Sequence, residues 1–389
     1  MSRKALALIV VGLLGIPYGT QAETVTLVYA STHQGFPELL REHALREDIL
    51  LDLVHVDTIS MRSELLRRAS VRELPDAVIM ASDNLGNEML AFSVVPGDLL
   101  SPDIDDRVLS MVRRGDAVYG IPVLAGNHQM LFYNRSLVSQ PPTRIEEMLT
   151  WKSGGRSIVW DHSSMYFFLP FVLAADPSFL IRRPLRFDTP EMIAAIGGYV
   201  DLGRELDLGS TCGYACVLQI FEEEKAACLI DGDWDIARLR RRLGENLGVA
   251  PLPSFRGRSL RSVSSAQVLA FPNLSLQGEK RQALATLARC VQSESFQRAV
   301  REDLGTIPVS RHEIAVLASE GDEVQKASLA VFESADPMSI ESTMPVAWGA
   351  LLKGYERHAT GMYDATKTAS YMQHLFTTST SAKAMRSEP

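Results

Sequence analysis

Residues that could do chemistry are sparse in this chain, and one short segment gathers several of them. Asp231-Gly232-Asp233-Trp234-Asp235 sets an indole among three carboxylates. An aromatic face can stack on a flat C–H surface, and Asp233 and Asp235 flank this one. Trp234 is the stacking candidate; its competing role is a core tryptophan that starts a helix. Asp83 follows the apolar run Ala77-Val78-Ile79-Met80 and is placed to bind a hydroxyl. Its alternative is a helix N-cap, with Ser82 and Asn84 as competitors. His33 and Gln34 come just after the first extended segment and are placed in the same way.

Catalytic signatures are missing from the sequence. There is no Gly-x-Ser-x-Gly elbow, no Walker lysine loop and no paired-His zinc helix. His312-Glu313 lacks its second histidine. Asp161-His162-Ser163 has the residue types of a triad, but a triad is defined by geometry, not adjacency. Two carboxylates at scattered positions could still serve a glycosidase, which keeps a carbohydrate-active enzyme as the rival reading. The four cysteines are Cys212, Cys216, Cys228 and Cys290. Cys212–Cys216 and Cys212–Cys228 are the short-range disulfide options, and the spacing is neither a redox CxxC nor a zinc pattern. One structural bridge with the remaining thiols buried is expected, and no metal or cofactor is implied.

These residues need elements to position them. Thr24 to Tyr29 and Leu51 to Val56 alternate as strands, and Ala77 to Met80 is a short buried one. Helical stretches at Glu38–Arg46 and Ser60–Ser70 separate them, the order of a mostly parallel α/β sheet. Ligands of such sheets sit at the carboxyl ends of strands, where the loops after Tyr29 and Met80 lie. Tyr119–Val123, Leu131–Asn134, Ser157–Trp160 and Val263–Phe271 are extended in character, and Val249–Pro253 resembles an edge strand. Pro190–Leu206 is helical, as is Phe221–Leu229 leading into the Asp231 segment. Trp151 and Trp160 end elements and are structural in character. Arg238, Arg240, Arg241 and Arg242 form a basic run, expected to be a solvated helix face. The Ser/Thr-rich residues from Thr377 are expected to fray.

The chain has 389 residues, enough for two domains, with 46% hydrophobic and 22% charged residues, as in an ordinary globular protein. A formal charge of −8 offers nothing to nucleic acid. Arg3 and Lys4 precede the apolar run Ala5–Ile16, then Pro17, Gly19 and Thr20-Gln21-Ala22: a signal peptide over residues 1–22, cut after Ala22. That run is too short to span a bilayer. A periplasmic location is expected.

From Tyr119 onward the order of segments resembles family 1 extracellular solute-binding proteins, the maltose-binding kind. The segments are Tyr119-Gly120-Ile121-Pro122-Val123, Leu131-Phe132-Tyr133-Asn134-Arg135, Pro141-Pro142-Thr143, Asp231-Gly232-Asp233-Trp234, Gly248–Pro253 and Gly305-Thr306-Ile307-Pro308-Val309. The resemblance implies an α/β, two-lobed periplasmic binding protein fold with hinge strands and an interlobe ligand cleft. It implies lobe one over residues 23–124 plus 263–336, and lobe two over 125–262 plus 337–389. It adds Trp348, behind Met344-Pro345, and Tyr166 as aromatic cleft residues. Asn127 and His128 fall just after the first presumed crossing between lobes. Departures from the maltose-binding pattern occur at Met80, His33-Gln34 and Ser163-Ser164-Met165-Tyr166, which argue for a solute other than maltose. The implied role is the solute-binding component of an ABC importer, not an enzyme, with membrane permease subunits as partners. A monomer is expected. A ligand-binding subunit of a sensory receptor would share the fold.

Overall fold

The structure is a computed structural model that describes residues 22–387 apart from 32, 59, 152–155 and 209–211. The expected signal peptide, but for Ala22, lies outside the described residues.

Strands β1 (Glu23–Tyr29), β2 (Ile49–His55) and β3 (Ala77–Ala81) are parallel neighbours, separated in sequence by the helices Phe36–Arg46 and Met61–Ser70. A small hairpin of β4 (Arg113–Arg114) and β5 (Ala117–Val118) precedes β6 (Ile121–Gly126). Then β7 (Gln129–Asn134), β8 (Arg156–Val159), β9 (Ala226–Gly232) and β10 (Leu247–Ala250) build a second sheet in the order β10-β7-β9-β8. The hairpin β11 (Ser254–Phe255) with β12 (Arg258–Ser259) leads to β13 (Val263–Ala270), which returns to the first sheet antiparallel to both β3 and β6. A short β14 (Asp336–Pro337) pairs with the start of β13.

Each sheet has its own apolar core. The first joins β1, β3 and β6 to β13 and the helices Arg281–Cys290 and Glu294–Glu302. The second joins β7 and β9 to the helices Met165–Ala175, Pro190–Glu205, Tyr214–Glu222 and Met344–Ala359. Trp160 is fully buried in the second core and Trp151 packs against it.

The chain passes between the cores at three neighbouring places. Only Asn127 and His128 separate β6 from β7. Ser262 precedes β13, and β14 lies beside it. Buried Gln129 ties the crossings together: its N–H donates to Ser262 Oγ at 3.0 Å, and its side-chain oxygen accepts from Val263 N–H at 3.0 Å. Asp336 N–H and Met338 N–H donate to the carbonyls of Ser262 and Ser264, both at 2.8 Å. Such a narrow, hydrogen-bonded waist is where two packed bodies can rotate by changing a few backbone dihedrals.

Three sequence expectations are corrected. The first sheet is mixed, because β13 runs back across it, and the second is largely antiparallel. The predicted helix Phe221–Leu229 is two elements: Tyr214–Glu222 ends in a turn with Glu224 at φ 59°, and Ala226–Gly232 is an interior strand. Pairing on both edges outweighs the helix propensity of Ala226 and Ala227. The segment from Thr377 continues the helix Ala365–Ser387, whose Met372 packs onto Gly354 of the helix Met344–Ala359.

Candidate functional site

The turn Ser82–Gly86 leaves the carboxyl end of β3 and presents Asp83 toward the second core. Trp348 donates its indole N–H to Asp83 Oδ2 at 3.1 Å, which joins the two bodies. Beside it, Arg62 at the start of Met61–Ser70 donates to the carbonyl of Pro345 at 2.6 Å. Burial pushes the Asp83 carboxyl up to about 6, while Trp348 and Arg62 pull it down.

Trp234 lies on the short helical turn that follows β9. Gly232 makes room for it: a Cβ there would lie 2.1 Å from Trp234 Cζ3, so the indole folds flat over the strand end. Its N–H donates to the Tyr214 hydroxyl at 2.5 Å, and that hydroxyl donates to Asp235. Tyr166, on Met165–Ala175, sets its ring centroid 5.9 Å from Trp234 and donates to the carbonyl of Asn127. The Tyr166 phenol is raised by burial and then by the charges of Asp233 and Asp83, so both carboxylates lie near it. Trp234, Tyr166, Asp83 and Trp348 thus converge at one place between the cores.

The crossing forms the floor of this place. Asn127 adopts φ 43° and donates its amide to Ser265 Oγ at 2.6 Å. Asp233 Oδ1 accepts from His128 N–H at 3.1 Å. Its Oδ2 has no hydrogen-bond partner and fills the notch left by Gly126, where a Cβ would be 2.0 Å away. Burial pushes Asp233 up to about 7.

The other predicted site residues go elsewhere. His128 is fully buried, faces Ser328 Oγ at 3.4 Å and Phe332, and is pushed down to about 3 by burial. It packs into the waist. His33 is buried between Ser31 and Thr306 and pushed down to about 4. Gln34 is exposed and accepts from Arg241 of the helix Ile236–Leu243, a contact from one body to the other at the rim. The basic run is therefore engaged instead of merely solvated: Arg238 pairs with Glu222 and Arg240 with Asp322. A surface hollow of about 620 Å³ beside it is lined by Arg135, Arg240, Asp322 and Glu323, whose charges pair with one another, and it excludes the aromatic cluster.

Cys212 and Cys216 form the disulfide; Cys228 is a buried free thiol, so the Cys212–Cys228 option does not form. Among the described residues no cluster of His, Cys, Asp or Glu is arranged to hold a metal ion.

The sequence reading passed over Tyr214, Arg62, Gln129 and Asp233 as site residues. Asp233 was visible as a neighbour of Trp234, but the other three had no local signal, since their partners lie 20 or more residues away.

Residues 60–333 match the family model described as bacterial extracellular solute-binding protein. The chain belongs to that family. Its two-lobed α/β fold is similar to that of the maltose/maltodextrin-binding domain MalE from Bdellovibrio bacteriovorus bound to maltotriose, with a TM-score of 0.81. That likeness covers 92% of this chain and 99% of the other at 19% identity, a likeness of fold. No curated protein matches. Members of that family are solute-binding proteins, not enzymes.

Proposed function

We propose that this protein is the periplasmic solute-binding component of an ABC importer and captures a sugar or sugar-like solute by hinge closure. The observation that carries the reading is the convergence of Trp234, Tyr166, Trp348 and Asp83 between two separately packed cores. Aromatic faces take the C–H surface of a pyranose, and carboxylates take its hydroxyls. The solved relative with this fold has maltotriose bound, which supports a carbohydrate. Residues 23–124 with 263–336 form one lobe and 125–262 with 337–389 the other, so ligand bridging them favours the closed form. Membrane permease subunits then read the closed surface. Residues 1–22 direct export and are removed.

The test is a thermal-shift screen of the mature protein against mono- and disaccharides, maltotriose, polyols, sugar phosphates, amino acids and polyamines. A ligand that binds only the folded state raises the melting temperature by mass action. A saturable shift with one sugar class, lost in Trp234→Ala, is expected. A shift with a charged nitrogenous solute alone would overturn the carbohydrate reading.

A further inference from the structure

We propose that Tyr214 positions Trp234 for the solute, and that the Cys212–Cys216 disulfide closed around it makes capture sensitive to dithiol reductants. The inference rests on the binding role of Trp234 proposed above.

Trp234 is held at two points. One face lies on Gly232, and its N–H ends on the Tyr214 hydroxyl at 2.5 Å. Among the described residues Tyr214 is the partner of that N–H. The hydroxyl is oriented in turn by Asp235, to which it donates. Asp235 is itself buried next to Asp231, and burial raises both carboxyls. An indole held at a face and at its N–H has one orientation to offer a ligand; released at the N–H, it can swing about its side-chain bonds.

Tyr214 begins the helix Tyr214–Glu222. The disulfide joins the residues two before and two after it, with Cα atoms 5.2 Å apart. Beyond the bridge, this turn is held by the Gly213 carbonyl, which accepts from Cys216 N–H at 3.0 Å and Val217 N–H at 3.1 Å. These bonds keep a helical turn but do not fix where it sits against Trp234. Both bridge cysteines are partly exposed, so a reductant reaches them. Cys228 and Cys290 are buried, and burial pushes both thiols up to about 12, which leaves them protonated and out of thiol exchange. A dithiol such as dithiothreitol supplies the balance. Its two S–H groups give up two electrons and two protons and close to a cyclic disulfide, while the Cys212–Cys216 S–S bond breaks to two thiols.

The experiment uses the mature protein, its reduced form, Tyr214→Phe and a Cys212→Ser/Cys216→Ser variant, with maltotriose as the probe. Trp234 emission and its quenching by acrylamide are isolated by difference against Trp234→Phe, with and without dithiothreitol. Reduction and Tyr214→Phe are each expected to make Trp234 more quenchable and to raise the maltotriose Kd about three- to tenfold, the scale of one lost hydrogen bond. Reoxidation restores both, and far-UV circular dichroism stays the same. Unchanged Trp234 emission in Tyr214→Phe overturns the positioning role, and unchanged emission on reduction overturns the role of the disulfide. If the double cysteine variant does not fold, the reduced protein decides. If maltotriose does not bind the oxidised protein, the sugar that gives the thermal shift above replaces it as the probe; if no sugar binds, the carbohydrate reading fails, while the emission arm still decides the positioning of Trp234.

Discussion

Asp233 is buried at the waist between the lobes, and Asp233→Asn turns its ionisation into a measurable stability. Its carboxyl stands at about 7 in the folded protein against an ordinary 3.8. That difference corresponds to about 4 kcal/mol of preference for the neutral form. The cause is burial with one oxygen unpartnered: Oδ2 faces Gly126 and lies 3.8 Å from His128 Nδ1, which also lacks a partner. Asp235 adds repulsion, while hydrogen bonds from His128 and Asn127 backbone favour the ionised form. Because the folded pKa is raised, the native state keeps a proton that the unfolded chain has lost between pH 4 and 7. Stability from this group therefore falls as pH rises through that window and stays lowered above it. Asparagine keeps the shape and carries no charge. The variant is expected to lead the parent by only about 1 kcal/mol near pH 4.5, and by up to about 4 kcal/mol at pH 8. His33, His128 and His162, pushed down to about 4, 3 and 4, act oppositely: their stability is lost as pH falls below the ordinary 6.5. They are present in both proteins and cancel in the difference. Urea unfolding at pH 4.5, 6 and 8 measures it. A pH-independent difference, or a variant less stable at pH 8, would refute the assignment of an uncompensated buried carboxyl.

Gly126→Ala asks the same waist to hold a Cβ at φ 121° and 2.0 Å from Asp233 Oδ2. A loss of at least about 2 kcal/mol in urea unfolding is expected. Trp348→Phe keeps an aromatic face, though a smaller one, and removes the donor to Asp83, so titration with the best solute from the screen should show Kd rising about threefold to tenfold. Tyr199→Phe strips a buried hydroxyl that accepts from Trp160 Nε1 at 3.1 Å and donates to the His162 carbonyl at 3.0 Å. A cost of about 1–3 kcal/mol is expected in the same unfolding assay, with solute affinity unchanged, since this cluster lies inside the second core.

What could be seen in the sequence was whatever one element declares by itself. β1 and β2 alternate or carry β-branched residues, and their bounds emerged within two residues of those expected. The helix Met165–Ala175 escaped because nearly every residue in it is buried and apolar, so it has no polar face to mark a helical period. β9 was mistaken for helix because Ala226-Ala227-Cys228-Leu229 favours a helix locally, while its two strand partners come from distant β7 and β8. Asp83 could be named because it follows a strand end, where a sheet of this kind leaves its loops, whereas Trp348 and Tyr166 came from the order of segments that resembles the family, and Trp234 from both its motif and its place after a strand. The contacts that tie them together could not, since the partners are as far apart in the chain as Asp83 and Trp348.

The arginine run shows why the second kind of information is conformational. Four arginines on one amphipathic helix read as a solvated face, and on an isolated lobe Arg240 and Arg241 would be part of one, while Arg238 keeps its pair with Glu222. In the assembled molecule Arg241 reaches Gln34 and Arg240 reaches Asp322, while on another side of the molecule Asp83 meets Trp348 and Arg62 meets Pro345. Of these contacts, Arg241–Gln34, Asp83–Trp348 and Arg62–Pro345 join groups attached to different cores and depend on how the lobes are set. Exposed pairs at the rim are worth little individually, about 0–1 kcal/mol, and are screened by salt. They can bias an equilibrium between lobe positions without fixing it. In the binding role proposed for the aromatic and carboxylate groups beneath them, a ligand shifts that equilibrium only by binding one lobe arrangement more tightly than the other, so specificity would belong to the cleft and the resting balance to the rim.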